Sequence, residues 1–555
     1  MSHNNPTPHS LRLVIGLSIV LAACFSPPPH VAGTPRTSIS TSNASSAFPL
    51  AAPEDVGLAR KDLDQLADTV TKWVAVGRPV GAELLIVKNG RTVRHEAIGW
   101  RDRAGTLPLQ PNSIFRIRSM TKPVIGTAVL MLKDEDRIAL DDPVANYLPS
   151  FDHGRSRAIT VRQLLTHTSG LAPNGFDAFG LPKEADTYES LRAVVDDIGA
   201  IGPTTSPGVF RYSDAGSATL AALVAEVSGA PVEHFLATRI FEPLGMRDTY
   251  TRFSPAAAWA DRLCSTYKWS GETLAFERYW DPSQAPRYPF FRGCGGIYTT
   301  PADYARFVSM WMAGGTFDGR RLLSEDTVKA ALRPLAGGQY GHQWRVPETP
   351  IVAGMPTVFG HEGSDSTIAL ALPATDTIVL YFTQSRGPGI RPMFRAALSR
   401  VPAFAEHVVV DQASTMLPER FPDRVPLNAT EAGAYAGDYI GSIIVDGKER
   451  MRDGFTYSVR LEGGSLRGTL VRPGGLHDYP LPGHDLIPVA AGSFVPGRIF
   501  KGRIVEVVQG ASIQFHEPAA GGAAPNRVEI RTELPALRWQ LTRVLSTNSM
   551  PTTSR

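Results

Sequence analysis

A serine followed three residues later by a lysine, Ser119-Met120-Thr121-Lys122, stands at the entrance to the apolar helical run Val124 to Leu132. A serine hydroxyl is a weak nucleophile at neutral pH and needs a base beside it. Residues three apart on a helix share one face, so Lys122 is placed to take the proton of Ser119. The start of a helix also offers backbone N–H groups that can stabilise an oxyanion. Nucleophile, base and part of an oxyanion hole therefore fit within one turn. The bare pattern recurs by chance in long chains, so its meaning depends on what else the chain carries.

Three further pieces lie downstream. Tyr212 precedes a helical run and is a candidate partner in proton transfer. Its anion is expected to be favoured beside Lys122, because opposite charge stabilises the charged form. Gly360-His361-Glu362-Gly363-Ser364 comes just before a strand, and such a Gly-flanked edge can present backbone N–H groups to a carbonyl. Gly293-Cys294-Gly295-Gly296-Ile297-Tyr298-Thr299-Thr300 forms a tight loop leading to a helix. Two residues have alternative readings. Asp214 is either the N-cap of the following helix or a site residue. His361 is either a site residue or a turn histidine with a structural bond. His167 is expected to be structural, with Thr166 and Ser169 as turn or cap groups. Other chemistries are disfavoured. There is no G-x-S-x-G elbow. His95-Glu96, His361-Glu362 and His516-Glu517 lack a second histidine at zincin spacing, and no phosphate-binding G-x-x-x-x-G-K-[ST] loop occurs.

The elements that must position these residues follow from pattern. With 555 residues, two or three domains are expected. A hydrophobic content of 43% and a charged content of 20% are those of a soluble globular protein. A net charge of +3 without a dense basic block gives no reason to expect a nucleic-acid partner. Residues 1–23 read as a secretory signal, with Leu13 to Val20 too short to span a bilayer. Its end, Leu21-Ala22-Ala23-Cys24, resembles a bacterial lipobox, which implies lipid on Cys24 and a periplasmic or cell-envelope lipoprotein. The alternative is an ordinary cleaved signal. Residues 24–52 are expected to form a flexible tether. Cys264 and Cys294 are left in the body, either as a disulfide or as two separate buried thiols.

Within 53–403, helical periodicity marks Asp62 to Val76, Tyr188 to Ile198, Ser217 to Val227, Pro301 to Met312, Ser324 to Leu332 and Pro392 to Arg400. Ala82 to Val87 and Thr92 to Gly99 flank Asn89-Gly90, a strong hairpin signal. Thr367 to Leu372 and Thr377 to Thr383 are further strands. Strands in two clusters around a helical middle predict an α+β body in which early and late strands share a sheet. After a linker over 404–427, residues 428–545 show short alternating runs and predict a smaller all-β domain, with 546–555 as a disordered tail.

Together these motifs resemble the serine β-lactamase and penicillin-binding-protein-like superfamily, in its class C, esterase and D-aminopeptidase branch. The resemblance rests on Phe115 to Pro123, Leu164 to Leu171, Phe210 to Asp214, Gly295 to Asp303 and His361-Glu362-Gly363, in the family's order. It implies a β-lactamase/transpeptidase-like domain: an antiparallel sheet flanked by helices, with a helical subdomain. It also implies an acyl-enzyme on Ser119, with Lys122 and Tyr212 sharing the proton work. The N–H groups of Ser119 and Ser364 would bind the oxyanion, and His361 and Gly363 would line the edge strand. No metal or organic cofactor is implied. Asp214 stands where β-lactamases usually have asparagine, and His361 where lysine begins Lys-Thr-Gly. Both changes weigh against lactams and for small ester or amide substrates. The alternatives are a D-amino-acid peptidase or β-lactamase on cell-wall-related substrates, and a non-catalytic peptidoglycan-binding sensor. The β-rich tail resembles lipocalin-like C-terminal domains through Tyr435-Ala436-Gly437-Asp438-Tyr439. It is either a stabilising add-on or a domain one of whose loops reaches the cleft and restricts substrate size.

Overall fold

The computed structural model describes residues 34–38 and 47–408, apart from 173–180, 271–272, 274, 335–339, 348 and 388. It also describes 415–416, and 424–543 apart from 446–447, 463–464, 472–483, 501–502, 509–510, 517–524 and 534–535. The signal, Cys24 and residues 546–555 lie outside the described residues.

Alternation builds the central sheet. Leu84 and Ile86 enter one core cluster, while Leu85 and Val87, one residue out of phase, enter the other. Their strand, Gly81–Lys88, is buried through Val87, as is Thr377–Thr383 beside it. A strand packed on both faces in this way belongs at the centre of a sheet. The antiparallel order is Arg36–Ser38, Arg91–Asp102, Gly81–Lys88, Thr377–Thr383, Ile368–Leu372, Phe359–Glu362. Early and late strands therefore share one sheet, as the pattern predicts. Asn89 and Gly90 close the first hairpin at φ 50° and 67°, the left-handed pair that a tight two-residue turn requires. Helices Arg60–Ala75 and Ile390–Leu398 cover one face through Leu66, Val70 and Phe394. Met120, Tyr304 and Phe307, from the inserted helical part, cover the other. Each large side chain so buried contributes roughly 1.5–3 kcal/mol.

The helix Thr121–Asp134 is buried from Thr121 to Leu132, so its first turn is set in a rigid surround. The helix Asp214–Ser228 lies against it and starts three residues earlier than periodicity suggests. The reason is local: Ser213, not Asp214, is the N-cap, its hydroxyl accepting from the Gly216 N–H. Among the described residues no single helix is long and apolar enough to cross a membrane.

One expectation needs correction, and one open alternative is decided. Part of the stretch read as a tether is built into the body. Arg36–Ser38 pairs with Glu96 to Ile98, Arg36 binds Glu96 and Asp68, and Phe48 is a core residue. Second, Cys264 and Cys294 are not bridged; both are free, buried thiols. Their surroundings differ. Cys264 follows the Ile114 backbone and faces Glu83, whereas Cys294 lies by Lys122 and Asp214.

The C-terminal part is a β-barrel preceded by the short helix Ala429–Tyr435. Of the nine described strands from Gly437–Val445 to Ala536–Arg543, eight form an antiparallel ring that closes where Ser493 and Phe494 meet Gln514 and Ile513, while Arg503–Val508 pairs with Ser493–Phe500 outside the ring. Closure removes exposed strand edges. Its interior is filled by side chains such as Tyr439, Tyr457, Phe494 and Phe515. The Tyr457 hydroxyl pairs with His484 Nε2 at 2.8 Å.

Candidate active site

Ser119 sits in the short 3-10 turn Arg118–Met120 that runs directly into the helix Thr121–Asp134. Lys122 Nζ lies 3.3 Å from Ser119 Oγ, on the same face one turn on. The lysine is fully buried. Its other partners are Asp214 Oδ1 at 2.5 Å and the Cys294 carbonyl at 3.3 Å, and it lies 4.6 Å from the centroid of the Tyr212 ring. Three segments far apart in the chain thus converge on one ammonium. The glycine-rich loop is clamped there, because Ile117 N–H donates to Ile297 O and Ile297 N–H donates to Thr121 Oγ1.

Burial alone would favour a neutral lysine. The Asp214 carboxylate outweighs burial, with help from Tyr212, and holds Lys122 above the usual lysine range. Asp214 thus favours the protonated lysine. The expectation for Tyr212 is reversed. Burial pushes its phenol up, the Asp214 charge pushes the same way, and the pull of Lys122 and Ser119 does not compensate. At rest the site holds a charged lysine and a neutral tyrosine.

His361 is on the edge strand Phe359–Glu362, buried and facing the site wall. Burial, then the nearby Lys122 charge, brings its imidazole down to about 3. It offers no fixed cation. Its Nδ1 is engaged with the Glu362 backbone, while Nε2 is buried and meets no hydrogen-bond partner among the described residues. Gly363 is required by close approach. A Cβ there would fall 2.4 Å from the Ile117 carbonyl oxygen and 2.2 Å from Thr367 Oγ1. The edge strand is thereby pressed against the segment carrying Ser119. Ser364 follows, and among the described residues no acceptor takes its backbone N–H; its hydroxyl accepts from Arg386 at 2.5 Å.

Some residues at this centre were not singled out from sequence. Arg118, just before Ser119, adopts φ +51°, a conformation costly for a side-chain-bearing residue. Its guanidinium holds the fully buried Asp365 at 2.5 Å and the Tyr279 hydroxyl at 2.6 Å. Asp365 directly follows Ser364, so one ion pair ties the neighbours of both expected oxyanion donors together. Adjacency in sequence was the available signal. Tyr340 had none; its ring lies 5.8 Å from Tyr212 and 5.9 Å from His361. His167 is structural, as expected, but it also lines the site. Its Nδ1 accepts from the Ser213 N–H, and its ring lies 4.6 Å from that of Tyr212, tilted by 39°. No cluster of metal-ligating side chains is assembled among the described residues.

The beta-lactamase family model matches residues 66–400, well over half of the chain. The chain belongs to the beta-lactamase family. It is 31% identical over 289 residues to Protein Rv1367c of Mycobacterium tuberculosis, a match spanning 48% of this chain and 71% of that protein. Esterase EstB of Burkholderia gladioli is 32% identical over 187 residues, spanning 31% of this chain and 47% of the esterase. The chain thus spans about half of EstB's length. In fold, the octameric penicillin-binding protein homologue from Pyrococcus abyssi superposes with a TM-score of 0.54 at 20% identity, covering 86% of this chain and all of that one. Membership places the body in the β-lactamase-fold serine hydrolase family, with the barrel as a second, smaller domain.

Proposed function

We propose that this protein is a serine hydrolase that forms an acyl-enzyme on Ser119 and cleaves small ester or amide substrates. The observation that carries the reading is the buried Lys122 ammonium, 3.3 Å from Ser119 Oγ and anchored by Asp214, the Cys294 carbonyl and the Tyr212 ring. A lysine that only decorated a surface helix would be solvated. This one is held against the hydroxyl.

The chemistry follows from the protons. With Lys122 charged and Tyr212 neutral, the set must lose one proton before it can act as a base. Ser119 Oγ then attacks the substrate carbonyl carbon, and its proton passes to the Lys122–Tyr212 pair. The oxyanion accepts from the N–H groups of Ser119 and Ser364. Collapse breaks the bond to the leaving group, which takes the proton and leaves the acyl group on Oγ. Water repeats the sequence in reverse and frees the acid.

Esters and simple amides are favoured over β-lactams. His361 is neutral, and the Asp214 carboxylate can only accept where an amide could donate. The named relative EstB agrees with this choice. The test combines labelling by a fluorophosphonate with turnover of a p-nitrophenyl ester, a chromogenic cephalosporin and a D-Ala-D-Ala peptide. Labelling and ester turnover are expected in the wild type and lost in Ser119→Ala. Absence of labelling in the wild type rejects the acyl-enzyme. Rapid cephalosporin turnover rejects the preference for esters.

A further inference from the structure

Acyl transfer at Ser119 turns on two backbone N–H groups, those of Ser119 and Ser364. Among the described residues neither N–H meets an acceptor, and both serines are partly exposed. Such donors act only when they stand about 2.7–3.1 Å from the place the oxyanion will occupy. A peptide N–H has no rotamer of its own. Its direction is fixed by whatever holds the adjoining backbone.

One carboxylate holds both. Asp365 is fully buried, and its two oxygens face different arginines. Oδ2 accepts from Arg118 Nε at 2.5 Å, and Oδ1 from Arg386 Nε at 3.2 Å. Arg118 directly precedes Ser119, so the Ser119 N–H belongs to the peptide joining the two. Arg386 in turn donates through Nη2 to Ser364 Oγ at 2.5 Å. A single side chain therefore links the neighbours of the two donors. Asp365 is itself anchored, because its carbonyl accepts from Ser385 N–H at 3.1 Å and from Thr383 Oγ1 at 2.6 Å. Thr383 ends the central strand Thr377–Thr383. Burial alone would favour a neutral Asp365, but Arg118, then Arg386 and Arg116, hold it below the usual carboxylate range.

Backbone strain lies on each side of this link. Arg118 at φ +51° and Ser366 at φ +67°, in the turn that carries Ser364, are left-handed without being glycine. Such conformations persist only where the surroundings over-determine them. Around Arg118 those surroundings include Asp365 and Tyr279, whose hydroxyl accepts from Nη2 at 2.6 Å. Tyr279 and Arg386 come from one small sheet, made of Ser385–Arg386, Thr266–Ser270 and Ala275–Trp280.

We propose that Asp365 is a positioning residue for the oxyanion hole: through Arg118 on one side and Arg386 on the other, its carboxylate fixes how the Ser119 and Ser364 N–H groups stand to each other. The inference rests on the acyl-enzyme reading above and adds the residue that sets its transition-state contacts.

The test compares an oxoester with its thionoester on the intact protein: 4-nitrophenyl butyrate and the analogue in which sulfur replaces the carbonyl oxygen. Sulfur is a larger and weaker acceptor, so an aligned hole favours the oxoester and a loosened one discriminates less. In Asp365→Asn, kcat for the oxoester is expected to fall about tenfold or more, with KM changed by less than about threefold. The oxoester-to-thionoester ratio of kcat/KM should fall by about threefold or more in the same variant. Arg386→Gln, at a half-exposed position, should move kcat and the ratio the same way. A role in stability alone would lower the folded fraction, which scales kcat and leaves KM and the ratio at wild-type values. Should Asp365→Asn fail to fold, Arg386→Gln decides. An unchanged ratio in the folded variants overturns the positioning role, while fluorophosphonate labelling of the wild type leaves the acyl-enzyme reading standing. Absence of both labelling and ester turnover in the wild type would reject that reading and the positioning role with it.

Discussion

Lys122 poses the proton problem of this site, and Asp214 sets its terms. The carboxylate stabilises the ammonium, so it raises the pH at which the lysine can become a base. Replacing Asp214 by Asn removes that stabilisation while burial still disfavours the charge. The acid limb of the kcat/KM profile is therefore expected to move to lower pH by about 1–3 units. A pH–rate series on the ester checks this, and an unmoved or upward-shifted limb contradicts it. Three buried histidines give a second prediction. Burial brings His342 down to about 4 and His361 to about 3, and holds His167 well below 6.5. The neutral rings contribute fully above pH 6.5. That contribution is lost as pH falls below it, because the unfolded chain takes up protons the folded chain refuses. Asp303, pushed up to about 6 by burial, and Glu83, pushed up likewise, work in the opposite sense and trim the loss. From pH 7 to 5.5 the unfolding free energy is expected to drop by on the order of 2 kcal/mol. Denaturant titrations at both values test this, and equal stability would rule it out.

At the scale of elements, the edge strand and the nucleophile turn act as one unit. Gly363→Ala must separate them, since its Cβ meets the Ile117 carbonyl at 2.4 Å and backbone cannot yield cheaply. Overpacking of this kind costs about 1–3 kcal/mol of stability. A shift of the turn carrying Ser119 is expected to cost roughly tenfold or more in kcat/KM. Thermal melts and ester kinetics together check this; wild-type turnover in a folded variant would show that the contact does not position the site. Most elements were legible in sequence. Pro301–Met312 and Thr377–Thr383 have the bounds their patterns predict. The helix expected over Tyr188 to Ile198 is instead Leu191–Ile201, because Ser190 caps it by accepting from the Ala193 N–H. A single serine's choice of partner is weaker in sequence than a run of apolar spacing.

At the scale of the molecule, body and barrel have separate cores. Among the described residues, the three body clusters contain no barrel residue, and the barrel cluster contains none from the body. Deleting residues after Pro418 is therefore expected to leave a folded body that still turns over short esters. If a barrel loop narrows the cleft, bulky esters should gain relative to short ones by about tenfold, near 1.4 kcal/mol. Unchanged selectivity would reject a gating role and leave the barrel as a stabilising appendage.

The primary sequence alone determined which residues the proposed chemistry uses and the frame that holds them. Ser119, Lys122 and Tyr212 stand in motifs whose spacing is local, and local spacing survives in one dimension. Alternation and Asn89-Gly90 likewise specified the sheet, because a strand's two faces are written residue by residue. Tertiary structure decided the charge states. Whether Tyr212 is an anion depends on a contest between burial and the fields of Lys122 and Asp214, and burial is a property of the packed whole. It also decided that Cys264 and Cys294 stay apart and that Arg118 grips Asp365 across 247 residues.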